Sequence, residues 1–497
     1  MLKMKYKSII SKFLAFFACI AIFALLCEFV LVFGGYRYFT RNAEGMYDFQ
    51  SFSEQYKAVK RSFNNYPPYK QVQIDSTNLP IIFINTNSRH INRDEKILAK
   101  MTIINNGDGI INNADTNVHN KQNKEYDDDI LIRYRGNTSY SKSAKKPYSI
   151  VLQENNGKGR KSLLSMRKNK KWALQAPYTD RSLIRDVLVN DLAQNYFDYA
   201  PQSRLCELIL NGQYYGVYFL SEKPSGMKIK KPKENGDELT GGYVIEMEIY
   251  SKNRPAYYSS ENWHSIRYNY KRPDEEITSA QKKYINGYIK NMENAFLKND
   301  YDEICKYVDI ESFVDYQLFT EFTHNYDGYA RSVYLYKERS SKGGRFKTAL
   351  WDFNVSMGNG IILNAWRTDT WHLYDVADKI LLNEERDSLY FLWGRLLTHK
   401  NYRDKLINRW FQYRSSYFSD ESLMNKIDSL SHLLCECDAE KRNSDAWSLW
   451  GGEPKCFFQN KYVSSTYDDE IDYLKRWILE RVAWMDNHIE EIGNHLQ

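Results

Sequence analysis

The stretch SVYLYKERSSKGGRFKTALWDFN, Ser332 to Asn354, decides the fold expected for the middle of the chain. SVYLYK and FKTALW are strand-like and enclose a loop rich in Ser and Gly, which predicts an antiparallel β-hairpin. Asp327 stands a few residues before the first strand, and Asp352 follows the second directly. Because the two ends of a hairpin are neighbours, we expect these carboxylates to converge at its open end.

This predicted pair of carboxylates has the chemistry of a divalent metal site. Asn354, two residues after Asp352, adds an amide oxygen. Mg²⁺ and Mn²⁺ suit hard oxygen ligands, and Mg²⁺ commonly binds a few carboxylates together with phosphate oxygens. The sequence therefore predicts that Asp327, Asp352 and Asn354 hold Mg²⁺ or Mn²⁺. The alternative for Asp352 is a turn residue that points outward, because a buried charge needs a partner.

A basic loop lies further towards the N-terminus, in ILIRYRGNTSYSKSAKKPYSIVL, Ile130 to Leu152. Two β-rich runs enclose a polar loop, which predicts a hairpin bordered by Arg135, Lys145 and Lys146. Backbone N–H groups and cations in such a loop hold phosphate groups. Glu222, at the end of another predicted strand, is a candidate partner for the lysine. Together with the two aspartates, these residues match the parts of a phosphoryl-transfer site, although each one alone is commonly structural.

The order of the remaining elements indicates an α+β fold. The stretch Asn105–Asp129 is crowded with Asn, Asp and Gly and is predicted to be a long surface excursion. Beyond Asn364 the apolar residues keep helical spacing. Strands and hairpins come first and helices last, which predicts an α+β core with a helical C-terminal lobe. Further predicted elements are a strand at Leu79–Asn85, a helix begun by Asp180, a hairpin turning at Asn211-Gly212 and a helix within Asp309–Asn325.

Composition argues for a folded chain that does not bind nucleic acid. The 497 residues include 15% aromatic residues, a content that disordered chains seldom carry. The net charge is only +6 and is spread over the chain, so there is no basic stripe of the kind that nucleic-acid binders show.

The N-terminus predicts a membrane anchor. An apolar segment over Phe13–Cys27 resumes at Phe29–Phe33 and is preceded by Lys3, Lys5, Lys7 and Lys12. About twenty such residues span a bilayer as a helix, and the lysines favour an N-terminus inside the cytoplasm. We therefore expect a retained anchor with the rest of the chain outside the cytoplasm. A cleaved signal peptide is the alternative, but the segment lacks a convincing small-x-small cleavage site.

These features predict four segments. Residues 1–35 form the transmembrane signal anchor and residues 36–75 a membrane-proximal stalk. Residues 76–362 form the core that carries the candidate site, and residues 363–497 form the helical C-terminal lobe.

Five ordered motifs carry a resemblance to the CotH family of spore-coat-type atypical protein kinases. The motifs are RGNTSYSKSAKKPYSI, NGQYYGVYFLSE, GGYVIEME, NYDGYARSVYLYK and LWDFN. The resemblance runs from about Leu79 to the C-terminus and is most specific over Ile130–Asn359. It implies a remote protein-kinase-like fold, and an activity that depends on ATP and Mg²⁺ or Mn²⁺ and acts on Ser/Thr-rich protein segments.

The same resemblance implies roles for individual residues. Asp352 in LWDFN is similar to the metal-binding acid, and Asp327 in NYDGY to the catalytic or second metal-binding acid. Lys146 and Arg135 fall in the phosphate-contacting motif, with Lys145 beside them. Glu222 is similar to the acid that pairs with the lysine.

One departure from the family pattern keeps an alternative open. Many relatives read WDxD where this chain reads WDFN, so Asn354 replaces a third carboxylate. The alternative is a non-catalytic pseudokinase or adhesin-like module of the cell envelope. A carbohydrate-active enzyme with Asp327 and Asp352 as its acid/base pair is disfavoured, because a neutral sugar needs no cluster of Arg and Lys.

Overall fold

The structure is a computed structural model that describes residues 69–141, 143–153, 159–249, 258–262, 266–329, 331–360, 365–375, 391–450 and 464–494. The predicted anchor and most of the predicted stalk fall in residues 1–68, outside the described residues. Within the ranges that are described, we find no helix long and apolar enough to cross a membrane.

The strands lie almost entirely before residue 350, and the longest helices follow residue 278. The strands are β1 Ser76–Thr77, β2 Ile81–Asn85, β3 Ile97–Ile104, β4 Asn112–Asn113, β5 Lys124–Tyr134, β6 Tyr148–Leu152, β7 Lys171–Gln175, β8 Ser203–Leu210, β9 Gln213–Glu222, β10 Tyr243–Ile249, β11 Ile266–Arg272, β12 Val333–Lys337 and β13 Phe346–Ala349. The helices are α1 Thr138–Ser141, α2 Arg185–Ala193, α3 Gly236–Leu239, α4 Ser279–Lys298, α5 Tyr301–Tyr307, α6 Ile310–Thr323, α7 Phe391–Thr398, α8 Lys400–Arg414, α9 Asp420–Cys435, α10 Ala439–Trp447 and α11 Tyr467–His488. This order confirms the predicted α+β class with a helical C-terminal region.

Seven strands close into a barrel in the order β2-β3-β5-β6-β7-β9-β8, with β2 and β8 parallel at the closure. Buried side chains such as Met101, Ile150 and Trp172 fill its interior, as expected for a narrow barrel whose strands alternate inward and outward residues. The predicted β8–β9 hairpin is confirmed. Asn211 and Gly212 both have positive φ angles, 52° and 79°, which a two-residue hairpin turn requires and which Asn-Gly supplies.

A second, antiparallel sheet has the strand order β11-β10-β12-β13. Its β12–β13 pair is the hairpin predicted from the opening stretch, with Tyr334 opposite Ala349. Helix α6 precedes this hairpin, and the side chain of Asp309 caps it by accepting the Ser312 N–H at 3.1 Å. The cap confirms the predicted start of this helix.

The predicted surface excursion over Asn105–Asp129 is wrong at its C-terminal end. Residues from Lys124 onward belong to β5 and pair with β3 in the barrel. The run KEYDDD looks loop-like because its acidic side chains face outward, where Asp127 lies 3.4 Å from Lys100. Tyr126 is the inward residue and is 1% exposed, so the run keeps the two-residue alternation of a half-buried strand.

Helix α2 is tied to the C-terminal helices by a buried ionic network. The Arg185 guanidinium lies 2.5 Å from Asp180 and 2.9 Å from Glu470 of α11, and all three side chains are at most 2% exposed. Asp180 also accepts the Arg185 backbone N–H at 2.9 Å, next to the start of α2. Glu470 comes from the segment predicted as the C-terminal lobe, so the lobe contributes directly to the packing of the core.

We predict that Arg185→Met destabilises the chain by about 3–5 kcal/mol, because it leaves Asp180 and Glu470 buried without their cation. Urea unfolding gives the free energy of unfolding. Lys231→Met is the matched control: Lys231 pairs with Glu276 at 2.7 Å, but the two side chains are 58% and 75% exposed, so we expect a change within about 0.5 kcal/mol. Equal losses in the two variants would contradict a structural role for the buried network.

Candidate functional site

The loop that precedes β12 and the loop that follows β13 lie together at the open end of the hairpin, where backbone hydrogen bonds join them. The Tyr326 N–H donates to the Val355 carbonyl at 3.0 Å, and the Met357 N–H donates to the Thr323 carbonyl at 2.7 Å. The structure therefore brings together the loop that carries Asp327 and the loop that carries Asp352, as the hairpin geometry predicted.

Both aspartates line a cavity of about 1080 Å³. One wall comes from barrel strands, with residues such as Ser149 and Lys171, and the other from the second sheet, with Glu246 and Tyr334. The sequence-predicted residues that line the cavity are Asp327, Asp352, Asn354 and Arg135. A cavity of this size is in the range that holds a cofactor-sized ligand.

A third carboxylate, Asp186 of α2, belongs to the same group. Burial and the charge of Asp352 raise the pKa of Asp327 to about 7 and that of Asp186 to about 8. Burial also raises the pKa of Asp352, while the positive charge of Arg135 acts in the opposite direction. Three carboxylates that resist ionisation together form a site that a cation would stabilise.

The backbone at Asp352 adopts an uncommon conformation. Its φ angle is 68°, in the left-handed region that residues other than Gly seldom occupy, although Asp tolerates it better than most. The next peptide group donates its Phe353 N–H to the Asp186 carboxylate at 2.7 Å. Such backbone strain is a feature of functional sites and needs support from the surrounding contacts.

Asn354 lies at the edge of the same loop. Its side-chain Nδ2 donates to the Thr179 hydroxyl at 3.2 Å, and its backbone carbonyl accepts from the Asn359 side chain at 2.7 Å. With Nδ2 engaged by Thr179, the amide is oriented by a neighbour from another part of the chain.

The basic side of the cavity differs from the prediction in its lysine. Arg135 is present: its guanidinium stacks over the Trp351 ring at 5.1 Å and donates to Gln175. The cavity is lined by Lys96, Lys171, Lys223 and Lys271. Of these, Lys223 donates its ammonium to the Ser149 hydroxyl at 2.6 Å. Lys223 is also distinguished by its surroundings. Among the described residues, no carboxylate lies within ion-pair distance of it. Burial and the surrounding cations, Arg135 first among them, lower the pKa of Lys223 well below its usual range.

Lys145 and Lys146, predicted to contact phosphate, do not line the cavity, and this part of the prediction is wrong in the structure. Lys145 is 1% exposed, and its ammonium donates to the Val217 carbonyl and to Asn443. Lys146 donates to the carbonyls of Tyr140 and Ser143, both at 2.5 Å. Both ammonium groups therefore donate to backbone or amide oxygens outside the lining of the cavity.

The predicted pairing of Glu222 with a lysine is also wrong. The Glu222 carboxylate forms an ion pair with Arg167 at 2.5 Å and accepts the Gln202 N–H at 3.0 Å. It is 3% exposed and lies outside the cavity. At the cavity, Lys271 pairs with Glu246 at 2.7 Å and Lys171 pairs with Asp274 at 3.2 Å. The Glu246 carboxylate also accepts from the Tyr334 hydroxyl at 2.9 Å.

Lys223 and Asp186 are among the cavity residues that the sequence analysis missed. Lys223 directly follows Glu222, and successive residues of an extended chain point to opposite faces. The sequence analysis assigned Glu222 to the site, although it is Lys223 that faces the cavity. That alternation was a usable signal. Asp186 carried a weaker one, a charge inside the apolar pattern that predicts α2. Its partner Phe353 lies 167 residues away, and nothing local indicates the contact.

The carboxylates alone do not make a complete metal cage. Within the described part of the chain, no group of three or more His, Cys, Asp or Glu side chains is arranged to hold a metal ion. An ion held by Asp327 and Asp352 would need oxygen atoms from a ligand or from water, which is the usual situation for Mg²⁺.

Comparisons with known proteins point to one family. A family model described as CotH kinase protein matches residues 132–485. The chain is also 24% identical over 239 residues to the inner spore coat protein H of Bacillus subtilis (strain 168). That match covers 47% of this chain and 60% of the relative, so the chain spans less than two thirds of the length of this curated protein.

We predict that Asp327→Asn stabilises the chain at pH 8 in a chelator by about 1 kcal/mol. The raised pKa means that the folded state binds this proton more tightly than the unfolded chain does. The stability of the original protein therefore falls as pH rises from about 4, the usual pKa of Asp, to about 7. Asn removes this loss.

Urea unfolding at pH 5 and pH 8 tests this expectation. The stability difference between Asp327→Asn and the original protein should grow with pH. Asp404→Asn on α8, an exposed site paired with Lys400, is the control and should show little change. A variant that is less stable by the same amount at both pH values would show that Asp327 is a structural hydrogen-bonding group instead.

Proposed function

Because the chain belongs to the CotH kinase protein family, we propose that it is an atypical protein kinase that transfers the γ-phosphoryl group of ATP to Ser or Thr hydroxyls. One observation carries the proposal: the carboxylates of Asp186, Asp327 and Asp352 share a cavity with Arg135 and with Lys223, which has no carboxylate partner among the described residues. In a metal-bound polyphosphate, the metal ion has the opposite charge to the carboxylates, and the phosphate groups have the opposite charge to Arg135 and Lys223.

The residues present fit a divalent ion and a nucleotide. Asp327 and Asp352, with the amide oxygen of Asn354, would hold Mg²⁺ or Mn²⁺, since hard oxygen donors of this type suit both ions. When bound, the ion would neutralise charge on the phosphate groups. On the opposite wall, Arg135 and Lys223 would offset the remaining negative charge through charge-assisted hydrogen bonds.

The proton of the substrate hydroxyl needs an acceptor. Asp327 sits on the turn after α6, where the Arg331 guanidinium lies 3.8 Å from its carboxylate. As an alternative to holding the ion, we propose that the Asp327 carboxylate accepts this proton or orients the hydroxyl, which are roles that a carboxylate within reach of the hydroxyl can take. Asp352, held beside Arg135, would keep its charge for the cation.

The relative and the N-terminus support a proposal for the substrate and its location. The relative is named an inner spore coat protein, which supports a Ser/Thr-rich protein of a coat or cell envelope as substrate. The lysine-flanked apolar segment supports attachment to a membrane and a kinase domain outside the cytoplasm. No feature supports a nucleic-acid substrate.

Phosphoryl transfer to protein is the first expected result. Incubation of the chain with γ-labelled ATP and Mg²⁺ or Mn²⁺ should label the chain itself or a Ser-rich substrate. Asp352→Ala should lower the rate by at least about 100-fold, since it removes a group that holds transition-state charge. ATP with metal should also raise the melting temperature of the original protein and not of the variant.

Two results would support the non-catalytic alternative, a pseudokinase or an adhesin-like module, which the presence of Asn354 in place of a third carboxylate favours. A metal-dependent thermal shift without phosphoryl transfer would indicate a binding module. The absence of both the shift and the transfer would indicate an adhesin-like module and overturn the proposed kinase.

The two candidate lysines can be separated directly. We expect Lys223→Met to weaken binding of ATP with Mg²⁺ by about 10-fold or more, because a charged hydrogen bond to phosphate contributes about 1.5–3 kcal/mol. Lys146→Met is the matched control and should leave the affinity within about 3-fold, because its ammonium binds loop carbonyls. Calorimetric titration measures both. If only Lys146→Met lowered the affinity for ATP, Lys146 and not Lys223 would be the phosphate-contacting lysine, as the sequence motif predicted.

A further inference from the structure

We propose that Asp186 is the positioning residue for Asp352: its carboxylate holds the Phe353 N–H and thereby fixes the left-handed backbone that aims Asp352 into the cavity. The significance of this role for catalysis rests on the proposed kinase function. The role itself is a property of the chain and can be tested without the reaction.

The first support is the hydrogen bond itself. The Phe353 N–H donates to Asp186 Oδ1 at 2.7 Å, at the short end of the range for an N–H···O hydrogen bond. The bonded peptide group is the one that follows Asp352, whose φ angle is 68°. The bond fixes the orientation of that peptide group relative to the Asp352 Cα, and so restrains the ψ angle of Asp352 within a left-handed conformation that residues other than glycine seldom adopt.

The second support is that Asp186 is itself fixed. It is the second residue of α2, directly after Arg185, whose guanidinium is held between Asp180 and Glu470 in a fully buried network. The Arg185 Nε also donates to the Met357 carbonyl at 3.3 Å. Helix α2 therefore contacts the Asp352 loop twice, at Phe353 and at Met357.

The third support is the path from this loop to the other aspartate. The same loop accepts the Tyr326 N–H at Val355 and donates the Met357 N–H to Thr323. These bonds join it to the turn that carries Asp327. The Asp352 loop is thus hydrogen-bonded to the segment that carries Asp327, and Asp186 binds the same loop next to Asp352.

A competing role for Asp186 is direct binding of a cation by its charge, since it lines the same cavity. The two roles differ in what Asn does at this position. Asn keeps a side-chain oxygen that accepts the Phe353 N–H but has no charge, whereas Ala keeps neither. Positioning predicts that Asn preserves the site, and charge-based binding predicts that Asn fails as Ala does.

Hydrogen exchange in the metal-free full chain is the primary experiment. We expect the Phe353 amide to exchange at least about 10-fold faster in Asp186→Ala than in the original protein, and to remain slow in Asp186→Asn. If the Ala variant does not fold, Asp186→Ser replaces it, because its shorter side chain does not reach the N–H. Unchanged exchange in Asp186→Ala or Asp186→Ser would overturn the proposal.

Binding of Mn²⁺ alone, followed by electron paramagnetic resonance, is the second readout. Asp186→Ala should bind Mn²⁺ about 10-fold more weakly, as replacement of residues that orient metal ligands commonly does, whereas Asp186→Asn should stay within about 3-fold. Equal losses in the two variants would assign Asp186 to direct binding and reject positioning.

These readouts separate the inference from the proposed function. If exchange and Mn²⁺ binding respond as expected while the original protein transfers no phosphoryl group, the kinase proposal fails and the positioning role stands. If the protein is an active kinase and Asp186→Ala changes neither exchange nor Mn²⁺ binding, the positioning role fails alone. In an active kinase, the Ala variant should lose kcat more than it raises KM for ATP.

Discussion

The arrangement of the site depends on one buried cation. Arg185 is completely withdrawn from solvent, and its charge is tolerable there only while Asp180 and Glu470 remain beside it. The three residues come from the start of α2, the turn before it and the C-terminal helix α11. Separation of any one of these residues would leave a buried charge without its partner. The position of α2 therefore depends on helix α11, near the C-terminus.

Two opposed sets of charges follow from this arrangement. Carboxylates gather where α2 meets the loops of the second sheet, and cations gather on the barrel wall. Burial, together with repulsion between like charges within each set, raises the pKa values of Asp186 and Asp327 and lowers that of Lys223. Stability alone gives no reason for such a distribution, and the proposed metal-bound nucleotide would supply the opposite charge to each set.

The sequence predicted those features that local rules determine. The convergence of Asp327 and Asp352 follows from a single hairpin, and the Asn211-Gly212 turn follows from its two residues. The prediction that Lys145 and Lys146 lie in the site was wrong, because the sequence shows which residues of a loop are charged but not where their side chains point. Lys145 points away to meet Asn443, 298 residues later, and Glu222 meets Arg167 instead of the cavity. The contact of Asp186 with Phe353 is equally non-local. The predicted anchor lies outside the described residues.

The contact between Lys145 and Asn443 bears on how the chain is made. Asn443 of α10 accepts both the buried Lys145 ammonium and the Val217 N–H on the barrel, and Arg442 beside it pairs with the buried Glu207 of β8. During synthesis the barrel strands emerge long before α10 does. A nascent barrel therefore lacks two of the partners of its buried Lys145 and Glu207 until nearly the whole chain has left the ribosome, so its completion is a late event.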